Sequence, residues 1–136
     1  MLREEHQFTA RYENIEAICD LVERAASVAG FDDHMQYACQ LAVGEACENI
    51  VCHGYKGVED GMIQVKVEAS PGELSIELMD NAPPFDPSKQ TKNECRLEDC
   101  EGGLGIPILQ KVMDEIEYTR QGETNRLILR KHDSSD

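Results

Sequence analysis

The 136-residue sequence predicts an α+β protein, a two-layer sandwich in which a mixed, mostly antiparallel sheet carries its helices on one face. In some segments the apolar residues recur every three to four positions, which is the helical period, and in others at every second position, the period of a half-buried strand. The segments alternate as strand, helix, helix, hairpin, long loop, helix and hairpin. This order suits helices packed on one side of a sheet, and the length suits a single domain over residues 1–136.

The N-terminal half is predicted to contain an edge strand and two helices. Residues 2–10 form the edge strand. A first helix ends at Gly30, and a second begins with Asp33 as its cap, continues to about His53 and ends at Gly54. The apolar residues that define the first helix are Ile15, Ile18, Val22, Ala25 and Ala26.

The C-terminal half is predicted to contain two hairpins, separated by a loop and a helix. The first hairpin covers residues 62–78, and the second covers residues 116–129, followed by a polar tail at 132–136. Residues 86–101 are polar and have no period, so we expect a functional loop that acts as a lid. A third helix should begin at the glycines of residues 102–105.

Charge and cysteine content exclude several classes of protein. The formal net charge of −14 opposes direct binding to nucleic acid, and no apolar run approaches the length of a membrane span. The six cysteines form no CxxC pair, which predicts free thiols in a reducing cytoplasm. Cys95 and Cys100 leave a metal site or a regulatory disulfide as the minor alternative.

The first candidate motif places Glu45 and Asn49 one helical turn apart, so that both side chains point to the same side of the second helix. A carboxylate there can accept a proton from a hydroxyl, and an amide oxygen is a suitable ligand for Mg²⁺. Taken alone, such a pair usually belongs to a solvated helix surface.

The second motif, Asp80-Asn81-Ala82-Pro83-Pro84-Phe85, begins where an apolar strand ends. The Asp80 carboxylate could accept a hydrogen bond from an exocyclic amine such as that of adenine. The structural alternative is an Asx turn that closes the strand.

The third motif, Gly102-Gly103-Leu104-Gly105, opens a helix. Glycines allow close approach of the backbone, and the free N–H groups of a helix N-terminus attract phosphate. A hinge for the preceding acidic loop explains the glycines equally well.

Together, these three motifs resemble in order and context the N, G1 and G2 boxes of the Bergerat-fold ATPases, which include gyrase, heat-shock chaperones, histidine kinases and mismatch-repair ATPases. The branch of small anti-sigma-factor serine kinases is the most similar, and the resemblance extends from about Phe8 to Lys131. It rests on Leu41 to Tyr55, Asp80 to Pro87, Gly102 to Tyr118, and Asn125 to Leu127.

The resemblance implies a role for each matching residue. Glu45 would be the general base that prepares a serine hydroxyl of a partner protein, Asn49 would hold Mg²⁺, and Asp80 would bind the adenine amine of ATP. The remaining nucleotide-binding positions would be Ala82 beside Asp80, the phosphate loop Gly102, Gly103, Leu104 and Gly105, and Asn125.

The sequence departs from the family pattern at two places. Ala82 and Pro84 occupy G1-box positions that usually hold glycine, which should stiffen the entrance to the lid. The late Gly-x-Thr element of larger relatives has only a faint counterpart in residues 122–124, and Asn125 would substitute for it.

The family resemblance implies an ATP- and Mg²⁺-dependent serine/threonine protein kinase that phosphorylates an anti-sigma-factor antagonist and sequesters a sigma factor, as a cytoplasmic homodimer. A nucleotide-gated binding module without phosphotransfer is the alternative. A plain ATP hydrolase or the kinase part of a two-component system is a third possibility. The two-component reading is weakened because no dimerisation helix with a phospho-accepting histidine precedes the motifs.

Overall fold

The computed structural model of the chain describes residues 1–54, 61–83 and 105–133. Over these ranges, five strands form one sheet in the order β1-β2-β3-β5-β4, and every pairing between neighbours is antiparallel. The expected α+β fold is therefore confirmed. The sheet differs from the expected mixed sheet, because no parallel pair occurs in the described ranges.

The secondary structure follows the predicted order. The strands are β1 (Leu2–Thr9), β2 (Met62–Ser70), β3 (Glu73–Asp80), β4 (Glu115–Gln121) and β5 (Thr124–His132), and the helices are α1 (Tyr12–Val28), α2 (Asp33–Asn49) and α3 (Gly105–Val112). A short π-helix, Ile50–Gly54, continues α2, so the chain stays helical to the predicted end at Gly54. Strand β5 includes His132, which the sequence assigned to the polar tail.

The N-terminus of α2 differs by one residue from its prediction. The capping residue is Asp32, not Asp33, and its carboxylate accepts a hydrogen bond of 2.8 Å from the backbone N–H of Met35. Either aspartate could cap a helix here, but only Asp32 has the extended backbone (φ −72°, ψ 172°) that a cap requires. Gln36 does not bond back to the cap, because its side chain donates to the Phe31 carbonyl at 2.7 Å.

The core lies between one face of the sheet and the helices. Alternate residues of β2, β3 and β5 are buried on that face, and the apolar stripes of α1 and α2 cover them. The apolar residues concerned include Ile63, Val65, Val67, Leu74, Ile76, Leu78, Leu127 and Leu129 from the strands, and Ile18, Val22, Ala25, Ala42, Val43 and Cys47 from the helices. Aliphatic packing therefore carries the stability of a chain that has no tryptophan.

Several predictions fall on residues outside the described ranges. These are the lid at 86–101, the glycines at 102–103, Leu104, and the two cysteines at 95 and 100. Within the described ranges no helix is long and apolar enough to cross a membrane.

The expectation of free thiols holds for Cys19, Cys39 and Cys47. It is wrong for Cys52, which is disulfide-bonded. The spacing of cysteines along the sequence carries no information about this contact, because it depends on which segments meet in the fold.

Candidate functional site

The candidate site is built around the last row of the sheet, on the face that carries the helices. In that row Asp80 of β3 pairs with Ile63 of β2 on one side and with Asn125 of β5 on the other. Asn125 in turn pairs with Arg120 of β4. Antiparallel register therefore places an acid, an amide and a guanidinium side by side, although the acid lies 45 residues before the amide in the sequence.

Asp80 is the buried acid of this row, with only 8% of its surface exposed. One carboxylate oxygen, Oδ1, accepts hydrogen bonds from the Ala82 N–H at 2.9 Å and from the Asn125 amide nitrogen at 2.8 Å. The other oxygen, Oδ2, accepts none from any residue in the described ranges. A buried acceptor without a donor is costly to keep, so Oδ2 is suited to receive a hydrogen bond from a ligand.

The protonation of Asp80 reflects two opposing influences. Burial raises the pKa of the carboxyl group, and this effect is the largest. The hydrogen bonds from Asn125 and from the Ala82 N–H lower the pKa, as does the positive charge of Arg120. Asp80 is therefore a carboxyl group shielded from water, and the hydrogen bonds from Asn125 and Ala82 stabilise its charged form.

Asn125 links the strands at this end of the sheet, and it is 5% exposed. Its amide nitrogen donates to Asp80, to the Ala82 carbonyl at 2.7 Å and more weakly to the Pro83 carbonyl at 3.4 Å. Its Oδ1 accepts a hydrogen bond from the Tyr118 hydroxyl and another of 2.8 Å from Arg120 Nη1. We call Asp80, Ala82, Tyr118, Arg120 and Asn125 the Asn125 network.

Helix α2 carries Glu45, Cys47 and Asn49, and Cys47 is fully buried. Burial is the main cause of the raised pKa of the Cys47 thiol, and electrostatic interactions with Cys19 and Asp80 raise it further. Asn49 follows the buried Ala42 by about two turns of α2 and falls nearly in line with it. Glu45, one turn before Asn49, lies on the same side.

Glu45 and Asn49 are both half-buried on α2, as the helical spacing predicts. Neither side chain has a hydrogen-bond partner within the described ranges. Burial, followed by the negative charge of Glu48, raises the pKa of Glu45. A carboxylate with a raised pKa is a stronger base than an exposed one, which suits general-base chemistry.

The predicted site residues are thus only partly described. Asp80, Ala82 and Asn125 meet in the Asn125 network, and Glu45 and Asn49 share one side of α2. Gly105 begins α3, whereas Gly102, Gly103 and Leu104 lie outside the described ranges. No cluster of three metal-ligating side chains occurs in the described ranges.

Sequence reasoning missed two members of the network, Tyr118 and Arg120. They are two residues apart on β4 and therefore point to the same face of the sheet. The predicted second hairpin sets them opposite β5, but local sequence does not indicate that β5 pairs with β3 on its other side. The sequence pattern assigns Tyr118 only to the alternation of the last hairpin and to the end of a segment that resembles the family, with no role in the site.

Known proteins match this sequence along most of its length. The family model of the histidine kinase-like ATPase domain matches residues 8–131. The serine-protein kinase RsbW of Listeria innocua serovar 6a is 35% identical over 99 residues, which cover 68% of this chain and 63% of that protein. The anti-sigma F factor of Clostridium botulinum (strain Eklund 17B / Type B) is 36% identical over 78 residues, covering 55% of this chain and 54% of that protein. The chain thus spans less than two thirds of the length of these relatives.

Solved structures give the same fold at low sequence identity. The RsbU and RsbW domains of Rv1364c from Mycobacterium tuberculosis superimpose with a TM-score of 0.66 at 16% identity, covering 97% of this chain and 32% of that one. The catalytic domain of the histidine kinase ThkA superimposes with a TM-score of 0.54 at 14% identity, covering 95% and 97%. With the family model matched along residues 8–131, the chain belongs to the histidine kinase-like ATPase domain family.

Proposed function

We propose that this chain is an ATP-binding serine/threonine protein kinase and anti-sigma factor. It transfers a phosphoryl group to a small anti-sigma-factor antagonist and sequesters a sigma factor. The names of its relatives, a serine-protein kinase and an anti-sigma factor, support this activity. The observation that carries nucleotide binding is Oδ2 of the buried Asp80, which accepts no hydrogen bond from a residue that the structure describes, in a chain of an ATPase family.

The residues fit the chemistry that an adenine nucleotide requires. The 6-amino group of adenine is a hydrogen-bond donor, and Asp80 Oδ2 is an acceptor that lacks a donor in the described ranges. Ala82 lies just after the strand that ends at Asp80. Its N–H donates to Asp80 and its carbonyl accepts from the Asn125 amide, so both groups belong to the Asn125 network. The glycine loop at residues 102–105, named from the sequence, is the proposed phosphate-binding segment.

The chemical step is assigned to α2. When bound, Mg-ATP supplies the phosphoryl group to be transferred and the metal charge that neutralises it. Asn49 offers a neutral amide oxygen, a ligand type that Mg²⁺ accepts. Glu45, with its raised pKa, orients the partner's serine hydroxyl and accepts its proton.

The assembly is part of the same proposal. We assign the chain to the cytoplasm as a homodimer, with the antagonist and the sigma factor as its protein partners. Direct binding of nucleic acid is not expected, because a net charge of −14 repels phosphates.

The test is phosphate transfer from radiolabelled ATP to a candidate antagonist, together with calorimetry of ATP binding. Wild type should bind ATP and label the antagonist. Glu45→Ala should keep ATP affinity but label about 10²–10⁴-fold more slowly, which is the usual contribution of a general base. Asn49→Ala should instead weaken Mg-ATP binding.

A matched control removes an equal charge elsewhere. Glu16→Ala changes an exposed residue of α1 and should leave both measurements unchanged. If wild type binds ATP and the antagonist but never labels it, the chain is a nucleotide-gated binding module and the kinase proposal is wrong. If Glu45→Ala labels at the wild-type rate, the base is another residue.

A further inference from the structure

The hydrogen bonds of Asn125 permit only one orientation of its amide. Oδ1 faces two donors, the Tyr118 hydroxyl and Arg120 Nη1, and the amide nitrogen faces three acceptor oxygens from Asp80, Ala82 and Pro83. A flipped amide would point its oxygen at a carboxylate and two carbonyls. Arg120 enforces the orientation most strongly, because a guanidinium can donate but never accept.

Arg120 acts on both sides of the site at once. Its Nη1 atom bridges the Asn125 Oδ1 at 2.8 Å and the Ala82 carbonyl at 2.9 Å. The same side chain therefore fixes the amide that binds Asp80 and the backbone turn that follows Asp80. Asn125 already occupies Oδ1 of Asp80, so among contacts with described residues Oδ2 is the acceptor that remains for a ligand.

The charge of Arg120 also bears on the form of Asp80 that a ligand meets. Among the described residues, the titratable groups that act on Asp80 are Arg120 on β4 and Cys47 on α2. Burial keeps the Cys47 thiol protonated because it raises the pKa of that thiol. Arg120 is thus the charged group that opposes the effect of burial on the pKa of Asp80.

The state of Oδ2 decides which base it can bind. An ionised carboxylate oxygen accepts from the 6-amino group of adenine and repels the 6-carbonyl of guanine, whereas a protonated one can donate to that carbonyl. We propose that Arg120 and Tyr118 are positioning residues for adenine selectivity, which hold the Asn125 amide in the single orientation that presents Asp80 Oδ2 as a free acceptor. This inference rests on the proposed nucleotide binding.

The experiment compares ATP and GTP affinities by calorimetry in wild type, Arg120→Met and Tyr118→Phe. Arg120→Met keeps much of the apolar stem but removes the donors and the charge, and Tyr118→Phe removes one hydroxyl. Each should weaken ATP binding, by about tenfold for Arg120→Met, and each should reduce the preference for ATP over GTP. The matched control is Arg130→Met. It removes a guanidinium that donates hydrogen bonds to Glu115 and Glu117, which are not part of the Asn125 network. It should leave the ATP-to-GTP ratio unchanged.

A second readout needs no nucleotide. The titration midpoint of the Asp80 carboxyl, followed by ¹³C NMR, should rise in Arg120→Met and return toward the wild-type value in Arg120→Lys, which restores the charge. A merely structural role for Arg120 would not produce this pattern. An unchanged midpoint and an unchanged ATP-to-GTP ratio in folded Arg120→Met would overturn the inference and leave nucleotide binding intact. If wild type bound neither nucleotide, the proposed function would fail, and adenine selectivity with it.

Discussion

Replacing Asp80 by asparagine separates the binding role of this residue from its structural role. The amide oxygen of the replacement can still accept the hydrogen bonds that Oδ1 receives from Ala82 and Asn125. Only the second position changes, from the acceptor Oδ2 to an NH₂ donor. The substitution therefore preserves the internal hydrogen bonds and removes the acceptor that we assign to adenine.

The expected loss of affinity follows from that single change. An adenine amine placed against an NH₂ group loses its hydrogen bond and leaves donors unpaired, which costs about 1–3 kcal/mol. The dissociation constant for ATP should then rise by about 5- to 150-fold.

Stability should change in the opposite direction. Burial raises the pKa of Asp80 above its usual 3.8, so the folded state holds this proton more tightly than the unfolded state. The contribution of the Asp80 carboxyl to the free energy of unfolding is fully present below pH 3.8. This contribution is lost as the pH rises through the raised pKa of the folded state. Asp80→Asn has no such group, so its melting temperature relative to wild type should increase with pH across that window.

Calorimetry with Mg-ATP and thermal unfolding over a pH series measure both effects. Glu73→Gln is the matched control, because it neutralises an exposed acid at the other end of the same strand and should change neither the affinity nor its pH dependence. Unchanged ATP affinity in Asp80→Asn would refute the adenine role. Lost affinity accompanied by a large fall in melting temperature at neutral pH would show that the residue is structural, and would refute the reasoning equally.

Three further substitutions test the remaining features. Because burial and Glu48 raise the pKa of Glu45, phosphotransfer should decline with falling pH earlier than an exposed glutamate would predict, and Glu48→Gln should move the decline to lower pH in initial-rate profiles. Ile76→Ala opens a cavity at a fully buried position and should cost about 2–5 kcal/mol in chemical denaturation, whereas a loss below about 1 kcal/mol would contradict the assigned core. Asn125→Asp places a second carboxylate beside Asp80, and the repulsion between the two charges should destabilise the protein at neutral pH. Acidification protonates a carboxylate, so the variant should then regain stability; equal destabilisation at neutral and acidic pH would argue against the contact.

The sequence was sufficient for the parts of the fold that depend on local pattern. Alternation around a glycine turn predicts the first hairpin, and Gly72 indeed adopts a φ of +80°, which other residues rarely adopt. Helical spacing likewise places Glu45 and Asn49 on one side of α2. By contrast, neighbouring Asp32 and Asp33 are equally good caps by composition, so the choice between them depends on the backbone that enters the helix.

The contacts of the site depend on register between distant strands. Asn125 was named only through family resemblance, and nothing local indicates that its amide meets Asp80, 45 residues earlier. Arg120 and Tyr118 were missed because their role appears only when β5 lies between β3 and β4.

The strand order has a consequence for how the molecule folds. Strands β2 and β3 are joined by a tight turn, as are β4 and β5, so each hairpin closes a short loop at small entropic cost. The central β3–β5 contact joins the two hairpins and must close the long intervening segment, which favours its late formation. Asp80 and Asn125 stand on opposite sides of this seam. We therefore expect the nucleotide site to form only after the two hairpins have docked. A bound nucleotide should then stabilise the pairing of β3 with β5.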